Sequence, residues 1–298
     1  LRDILVTIWN HSVFFTTMLR RQFNLPHADL LKKAIRSFSL TERIVFFAFV
    51  LIFIGSTFFM LIKVNSAFLV SVPVSGGELI EGIIGSPRFI NPLLAISDAD
   101  KDITALVYSG LLKATPEGKL VPDLAERFEI SEDGKTYTFF LRKDATFHNG
   151  TRVTTDDVEF TVLKAQDPSL KSPRRSNWEG VTVEKIDENE IRFILKQPYA
   201  PFIGNTALGI LPRSIWKNAT NDEFSFSEFN ILAIGSGPYK IKSVGRDSAG
   251  IPNEYTLKAF NDYALGSPFV TNLRIRFYRN QGELARALEQ GDIESASG

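Results

Sequence analysis

Few side chains in this sequence have the types and spacing that chemistry requires. Its 298 residues include three histidines, His11, His27 and His148, and no cysteine. The first two precede a long apolar segment. His148 follows it in the turn sequence FHNG, where a solvated side chain is expected rather than a metal ligand or a member of a Ser-His-Asp triad. The sequence therefore predicts no catalytic centre, no metal site and no cofactor.

Two other motifs are better explained by local structure than by catalysis. GSGPY, residues 235–239, is rich in glycine but lacks the lysine and the spacing of a phosphate-binding P-loop. Asp156 and Asp157 are adjacent carboxylates at the expected start of a helix, where negative charge is favourable. The lack of cysteine excludes disulfides, thiolate chemistry and a lipidated N-terminal cysteine. These residues give little support for an enzyme.

The elements that frame these motifs begin with the apolar segment itself, IVFFAFVLIFIGSTFFMLI, residues 44–62. It has nineteen residues without a charge, fourteen of them Phe, Ile, Leu or Val. As a helix it would cover roughly 28 Å, close to the hydrocarbon core of a bilayer. We predict a transmembrane helix, with a buried core helix as the alternative. Four basic residues between 32 and 43 precede it and only Lys63 follows closely, so the positive-inside rule places the N-terminus in the cytoplasm.

The apolar segment separates regions of opposite net charge. The whole chain balances 34 basic against 34 acidic residues, which gives no support for nucleic-acid binding. Residues 1–43 are expected to be a basic cytoplasmic segment, either along the inner surface of the bilayer or as the tail of another domain. Residues 44–72 would form the anchor and its exit, unless they are a cleaved signal peptide. Residues 73–298 would lie outside the cell membrane.

The sequence starts with Leu rather than Met and ends in ESASG, so we expect it to be a fragment. Its second part is predicted to mix helices and strands. ISEDGKTYTFFL, residues 130–141, predicts a hairpin because Asp-Gly adopts the positive φ of a tight turn. Thr154 and Asp157 fit a capping box for a helix that reaches about Gln166. The remaining predicted elements are a hairpin of VTVEKI and IRFILK, strands at ELIEGIIG, YKIKSV, EYTLKAF and NLRIRFY, a helix from about Asp100, and a helix at ELARALEQ that ends at Gly291.

One long stretch resembles a known family. Residues 110–161 carry Gly-Leu-Leu, Pro-Asp-Leu-Ala-Glu, the Asp-Gly hairpin, Asn-Gly-Thr and Thr-x-Asp-Asp-Val in the order typical of the family 5 extracellular solute-binding proteins. These are the oligopeptide, dipeptide and nickel receptors of ABC importers. Further similar stretches are KIDENEIRFILKQPYAPF, ILPRSIW, GSGPYKI and LEQGDIE. The resemblance covers roughly residues 77–298.

The resemblance implies a periplasmic-binding-protein-like α/β fold of type II. In such proteins two lobes joined by a hinge enclose the ligand, and larger members have an extra domain on the first lobe. Residues 77–107 and 183–275 would then form the first lobe, 108–182 the extra domain and 276–298 the start of the second lobe. We expect this incomplete two-lobed fold to follow the single transmembrane helix.

The resemblance also implies which residues meet the ligand. Ile96, Ser97 and Asp98 would flank the backbone of an extended peptide, with an ordinary exposed loop as the alternative. Ser236 would face the cleft, unless GSGPY is only a structural turn. Peptide-binding relatives often place an aromatic residue after the Ser-Pro pair at which this chain has Arg174, and Trp178 could supply that contact instead.

The implied function is capture without chemistry. A peptide would lie in the cleft with its main chain hydrogen-bonded like an added strand, and an ABC permease would receive it at the outer face of the membrane. Two alternatives remain: the same fold binding a nickel chelate, haem or sugar, and a tethered sensor without transport. A peptidase on this scaffold would need a nucleophile or metal cluster, which the residues present do not suggest.

Overall fold

The computed structural model describes residues 33, 35–68 and 74–297, in two units that divide after Val72. The first unit contains helix α1, Leu40–Phe68, which includes the whole predicted apolar segment. Residues 40–64 of α1 are long and apolar enough to cross a membrane, and none of this stretch is buried within the described structure. The predicted helix is therefore present, with the length and composition that a span requires. Predictions for residues 1–32 and 69–73 lie outside the described residues.

The second unit combines helices with three sheets. In chain order its elements are β1 (Gly76–Ile84), α2 (Asp98–Val107), β2 (Leu112–Ala114), β3 (Leu120–Pro122), β4 (Ala125–Ile130), β5 (Thr136–Leu141), α3 (Thr155–Gln166), α4 (Arg175–Trp178), β6 (Thr182–Lys185), β7 (Glu190–Ile194), α5 (Phe202–Asn205), α6 (Arg213–Trp216), α7 (Asn221–Phe226), a 3-10 turn (Glu228–Asn230), β8 (Tyr239–Arg246), β9 (Pro252–Ala259), β10 (Val270–Tyr278), α8 (Gln281–Gln290) and β11 (Ser295–Ser297).

The larger sheet has the strand order β11-β1-β10-β9-β8. β1 runs parallel to β10 and β11, whereas β9 is antiparallel to β10 and β8. Two parallel strands that lie side by side must be joined by a crossover connection. For β1 and β10 this connection consists of most of the chain between them. The helices and loops that surround the candidate site are part of that connection.

The smaller sheets include the predicted hairpin of residues 130–141, which is confirmed. β4 and β5 pair on either side of a turn in which Gly134 has a φ of +67° and donates its N–H to the Ser131 carbonyl at 2.9 Å. Along β5, Tyr137, Phe139 and Leu141 are buried and alternate with partly exposed residues, as expected for a strand with one face on a core. β2 and β3 form a separate two-stranded sheet.

The strand pairing differs from the predicted domain boundaries at two places. β6 and β7 complete the sheet β4-β5-β7-β6, so a boundary between residues 182 and 183 would separate strands that are hydrogen-bonded to one another. A second lobe that starts at residue 276 would begin inside β10, and both β10 and β11 pair with β1. Hydrogen-bonded strand pairing thus crosses both predicted boundaries.

Two predicted helix ends, the start of α3 and the end of α8, are confirmed. Thr154 and Asp157 form the capping box of α3, with the Thr154 N–H donating to Asp157 Oδ2 at 2.9 Å. Asp157 Oδ1 also accepts the Arg213 N–H at 2.8 Å, which fixes the start of α6 to α3. α8 ends at Gly291, whose φ of +76° is the left-handed conformation that glycine adopts without a steric penalty.

The two main sheets share one hydrophobic core. Phe139 of β5, Phe193 of β7 and Tyr255 of β9 belong to the same cluster of buried side chains, as does Ile103 of α2. The rings of Phe139 and Phe193 meet edge to face with centroids 5.7 Å apart. Because α2 packs into this core, the face of α2 that points away from it is held in a fixed position.

Candidate functional site

A buried amide fixes the segment that leads into α2. The side-chain oxygen of Asn91 accepts the Leu93 N–H at 2.9 Å, and its Nδ2 donates to Asn230 Oδ1 at 3.0 Å. The Ser172 hydroxyl donates to the Leu93 carbonyl at 2.7 Å. Asn91, Asn230 and Ser172 are all buried, and each forms a hydrogen bond within the protein that replaces its bonds to water. The contacts join residues 91–93 to two distant parts of the chain.

A buried carboxylate holds the rest of the same segment. Asp100 Oδ1 accepts the N–H groups of Arg88 at 2.6 Å and Phe89 at 3.0 Å, and Oδ2 accepts those of Ile96 at 3.3 Å and Ser97 at 3.1 Å. The Ser97 hydroxyl accepts the Asp100 N–H at 3.1 Å and completes a capping box. Four backbone donors offset the cost of burying this charge. Residues 88–97 are thereby tied to the first turn of α2.

Beside this segment lies an open cavity of about 340 Å³, between α2, α4 and residues 204–209. We call it the α2–α4 cavity. One face of α2 lines it with Lys101, Thr104 and Ala105, which follow the helical spacing of three and four residues, and Tyr108, the residue after the helix, lines it as well. Arg174, Asn177 and Trp178 line it from α4 and the residue before that helix, and Pro92 and Ala95 lie at its edge.

Three buried polar atoms on these lining residues have no hydrogen-bond partner among the described residues. They are Thr104 Oγ1, Tyr108 Oη and Arg174 Nε. Burial raises the pKa of Tyr108 above its ordinary range, so its hydroxyl stays protonated and can donate. Buried polar groups in proteins are nearly always paired. These three atoms are themselves enclosed, so a polar ligand in the cavity would bond to them after a rotation of the side chains that carry them.

The predicted residues Ile96, Ser97 and Asp98 lie next to the cavity in the chain, between the lining residues Ala95 and Lys101. Ile96 is 66% exposed. The hydroxyl of Ser97 is engaged in the helix cap, and Asp98 forms an ion pair with Lys101, with 3.0 Å between Oδ1 and Nζ. All three residues are exposed to solvent. The side chains of Ser97 and Asp98 form contacts within the first turn of α2, whereas the side chain of Ile96 is available to contact a ligand.

Trp178 lines the cavity but is only 2% exposed. Its ring packs edge to face on Phe193 and Phe202, with centroids 5.3 Å and 5.5 Å away. Because the indole belongs to the hydrophobic core, it offers an edge to the cavity rather than a stacking surface. It is therefore poorly placed to replace the aromatic side chain expected at the position of Arg174.

Ser236 is enclosed, which differs from the predicted position facing the cleft. It is 1% exposed and does not line the α2–α4 cavity. The glycines on either side lie against the end of α2, where the Gly237 N–H donates to the Val107 carbonyl at 2.8 Å. A Cβ added to Gly235 would lie 2.1 Å from that same carbonyl oxygen. The structural reading of GSGPY as a tight packing turn fits these contacts.

The prediction that His148 is a solvated turn residue is wrong, because its ring holds the GSGPY turn. The Gly235 N–H donates to Nδ1 at 3.3 Å, Nε2 lies 3.0 Å from the Gly237 carbonyl, and the ring packs on Phe260. Burial lowers the pKa of His148 to about 4, helped by the positive charge of Lys240 and opposed by the bond to Gly237. The imidazole is therefore neutral near pH 7, with the proton on Nε2.

The predicted site residues did not include Lys101, Thr104 and Ala105 of α2, Tyr108 after it, or Asn177 of α4. The helical spacing of Lys101, Thr104 and Ala105 places them on one face, but only the fold shows that this face borders a cavity. Within residues 33, 35–68 and 74–297, no group of three or more His, Asp or Glu side chains could hold a metal ion. The arrangement offers hydrogen bonds, positive charge and apolar contacts, which are the means of binding rather than of reaction.

The mixed α/β fold is that of the periplasmic-binding-protein-like class. The chain belongs to the bacterial extracellular solute-binding proteins of family 5, whose middle region matches residues 119–298. The oligopeptide-binding protein AppA of Bacillus subtilis is 32% identical over 226 residues, a match that covers 74% of this chain and 40% of AppA.

Solved structures agree with this assignment. AppA in complex with a nonapeptide superposes with a TM-score of 0.69 at 31% identity, covering 74% of this chain and 44% of AppA. NikZ of Campylobacter jejuni in complex with Ni(L-His) gives 0.65 at 29% identity, covering 72% of this chain and 42% of NikZ. The chain spans about two fifths of the length of the curated relatives it matches.

Proposed function

We propose that this protein captures peptides outside the cytoplasmic membrane and delivers them to an ABC permease. The observation that carries the proposal is the α2–α4 cavity, open to solvent and bordered by unpaired hydrogen-bonding groups, in a chain of the family 5 solute-binding proteins. Binding of a nonapeptide by the relative AppA supports a peptide as the ligand. No bond is made or broken in this function.

The cavity is suited to an extended chain with varied side chains. Tyr108 and Thr104 can bond to main-chain groups of a ligand, which are the same in every peptide. The exposed side chain of Ile96 and the apolar edge of Pro92 and Ala95 can contact ligand side chains without defining their shape. This combination favours broad specificity.

We also propose that α1 anchors the binding domain, with the N-terminus in the cytoplasm. Its apolar stretch is exposed along the helix, and the basic residues lie mostly before it. The strand pairing supports a first lobe that includes residues 276–297 and an extra domain that extends to about residue 195. In this arrangement the α2–α4 cavity belongs to the first lobe and to the extra domain beside it.

The test is to measure the equilibrium binding of defined peptides to the full-length protein in detergent by titration calorimetry. Ala105→Phe places a large ring in the cavity, where it would occupy space that the ligand needs. We expect peptide binding to weaken at least about tenfold, which is the size of effect that the loss of a hydrogen bond to a charged or buried polar group would cause. Leu163→Phe adds the same kind of ring at an exposed position of α3, away from the cavity, and is the matched control. Equal affinities of the two variants would contradict the assignment of the cavity.

A further inference from the structure

We propose that the α2–α4 cavity selects ligands that carry a carboxylate, and that Arg174 determines this selectivity. The inference rests on the proposed binding function and narrows its substrate to acidic peptides or other carboxylated solutes. It follows from the charges that line the cavity, from the way in which Arg174 is held, and from the hydroxyl groups that face it.

The charged residues that line the cavity are both basic, Lys101 and Arg174, and no aspartate or glutamate lines it. The charge of Lys101 is shared with Asp98, whose side chain is 91% exposed at the start of α2. Arg174 makes no ion pair within the part of the chain that the structure describes, whereas the adjacent Arg175 lies 3.6 Å from Glu179. The uncompensated charge in the cavity is therefore that of Arg174.

The backbone of Arg174 is fixed at the cavity wall. Its N–H donates to the Ser172 hydroxyl at 3.1 Å, and that hydroxyl in turn donates to the Leu93 carbonyl at 2.7 Å. This chain of hydrogen bonds joins Arg174 to the segment on the opposite edge of the cavity, beside Pro92. These bonds fix the point at which the Arg174 side chain leaves the cavity wall.

The guanidinium group has hydrogen-bonding capacity that the described protein groups do not use. Arg174 Nε is buried and unpaired. A guanidinium presents its donors in a planar fork that matches the two oxygens of a carboxylate, and such paired bonds are stronger than neutral ones. Thr104 of α2 and Tyr108 just after it add unpaired hydroxyl groups to the lining. A carboxylate in the cavity supplies the acceptor atoms that the guanidinium lacks.

The test compares probes that differ only in charge, by calorimetry on the full-length protein in detergent. The probes are Ala-Glu-Ala amide and Ala-Gln-Ala amide, Ala-Ala-Ala with a free or an amidated C-terminus, and glutarate. The variants are Arg174→Gln, Arg174→Lys and Arg175→Gln. Arg175 does not line the cavity, so Arg175→Gln is the control for loss of one positive charge from the same helix region.

For the unmodified protein we expect the acidic member of at least one peptide pair to bind about tenfold or more tightly than its neutral partner, as charge-assisted bonds allow. Arg174→Gln should bring that ratio close to one without weakening the neutral peptide, and Arg175→Gln should leave it unchanged. Arg174→Lys should restore part of the ratio, since it keeps the charge but not the fork. The pair that responds shows whether the carboxylate is a side chain or a C-terminus.

Each other result has a defined meaning. Acidic and neutral peptides that bind equally, with no effect of Arg174→Gln, overturn the selectivity but leave peptide capture intact. Binding of glutarate alone, lost in Arg174→Gln, supports carboxylate selectivity and overturns the peptide as substrate. Failure of every probe to bind overturns both proposals.

Discussion

At Gly235 the backbone passes very close to the end of α2. A Cβ there would lie 2.1 Å from the Val107 carbonyl oxygen, closer than any side chain tolerates. We expect Gly235→Ala to lower the free energy of unfolding by about 1–3 kcal/mol because α2 must shift to admit it. Gly282→Ala is the control, since its Cβ would meet nothing closer than 3.4 Å and alanine favours the helix it occupies.

Urea unfolding of both variants measures the difference. Gly282→Ala should be as stable as the unmodified protein or slightly more stable. If Gly235→Ala were equally stable, the tight packing of the GSGPY turn on α2 would be disproved.

The titration of His148 gives a prediction for pH dependence. Its pKa is about 4 in the folded protein against an ordinary value of 6.5, so the unfolded chain binds more protons between these pH values. The free energy of unfolding should therefore fall as the pH falls from 6.5 to 4, by up to about 1.4 kcal/mol per pH unit from this residue. Above pH 6.5 His148 is neutral in both the folded and the unfolded protein, so its titration lowers the free energy of unfolding only below that pH.

Thermal melts of the unmodified protein and of His148→Gln at several pH values test this. Glutamine keeps one donor and one acceptor but does not titrate, so its stability should decline less steeply over the same range. Identical slopes for the two proteins would show that His148 is not buried as a neutral ring.

His148 and Ser236 are both enclosed by contacts that come from distant parts of the chain. FHNG is a turn sequence, and turn histidines are usually solvated, but the groups that bury His148 come from residues 235–237 and Phe260. The enclosure of Ser236 depends in the same way on the end of α2. Contacts between segments so far apart in sequence leave no local periodicity, so they cannot be read from either segment alone.

At the scale of elements, Asp100 connects α2 to the segment before it. Asp100→Ala would leave the N–H groups of Arg88, Phe89, Ile96 and Ser97 without their acceptor. We expect a loss of about 2–4 kcal/mol in the free energy of unfolding and weaker ligand binding, since buried unpaired donors are costly.

Asp98→Ala, two residues away, removes only an exposed ion pair with Lys101 and should cost at most about 1 kcal/mol. Urea unfolding and peptide titration of both variants provide the measurements. A similar loss in the two variants would mean that Asp100 does not hold the segment.

The individual elements were largely predictable, whereas their grouping was not. The Asp-Gly turn, the capping box at Thr154 and Asp157 and the glycine at 291 are local signals, and the elements they predict are present. The parallel pairing of β1 with β10 joins residues nearly two hundred positions apart. No local pattern encodes that register or the pairing of β5 with β7, which is why the predicted boundaries at 276 and 182 each cross a pair of hydrogen-bonded strands, in two different sheets.

In the whole molecule, the described residues include one helix that is long and apolar enough to span a bilayer, and a second compact unit follows Val72. We expect removal of residues 1–72 to release the remainder from the membrane fraction, because no described helix outside α1 is long and apolar enough to span a bilayer. Cell fractionation with an alkaline wash measures this. Continued sedimentation of the shortened protein with membranes would contradict anchoring by α1 alone.

A protein that holds peptides without altering them, as proposed, retains intact peptides through purification. Native mass spectrometry of the full-length protein, released from detergent after purification from a peptide-rich lysate, detects them. We expect a set of bound masses that correspond to short peptides, enriched in Asp and Glu and reduced in Arg174→Gln. A single defined mass such as a metal chelate, or a protein that stays empty even with added acidic peptides, would contradict peptide capture.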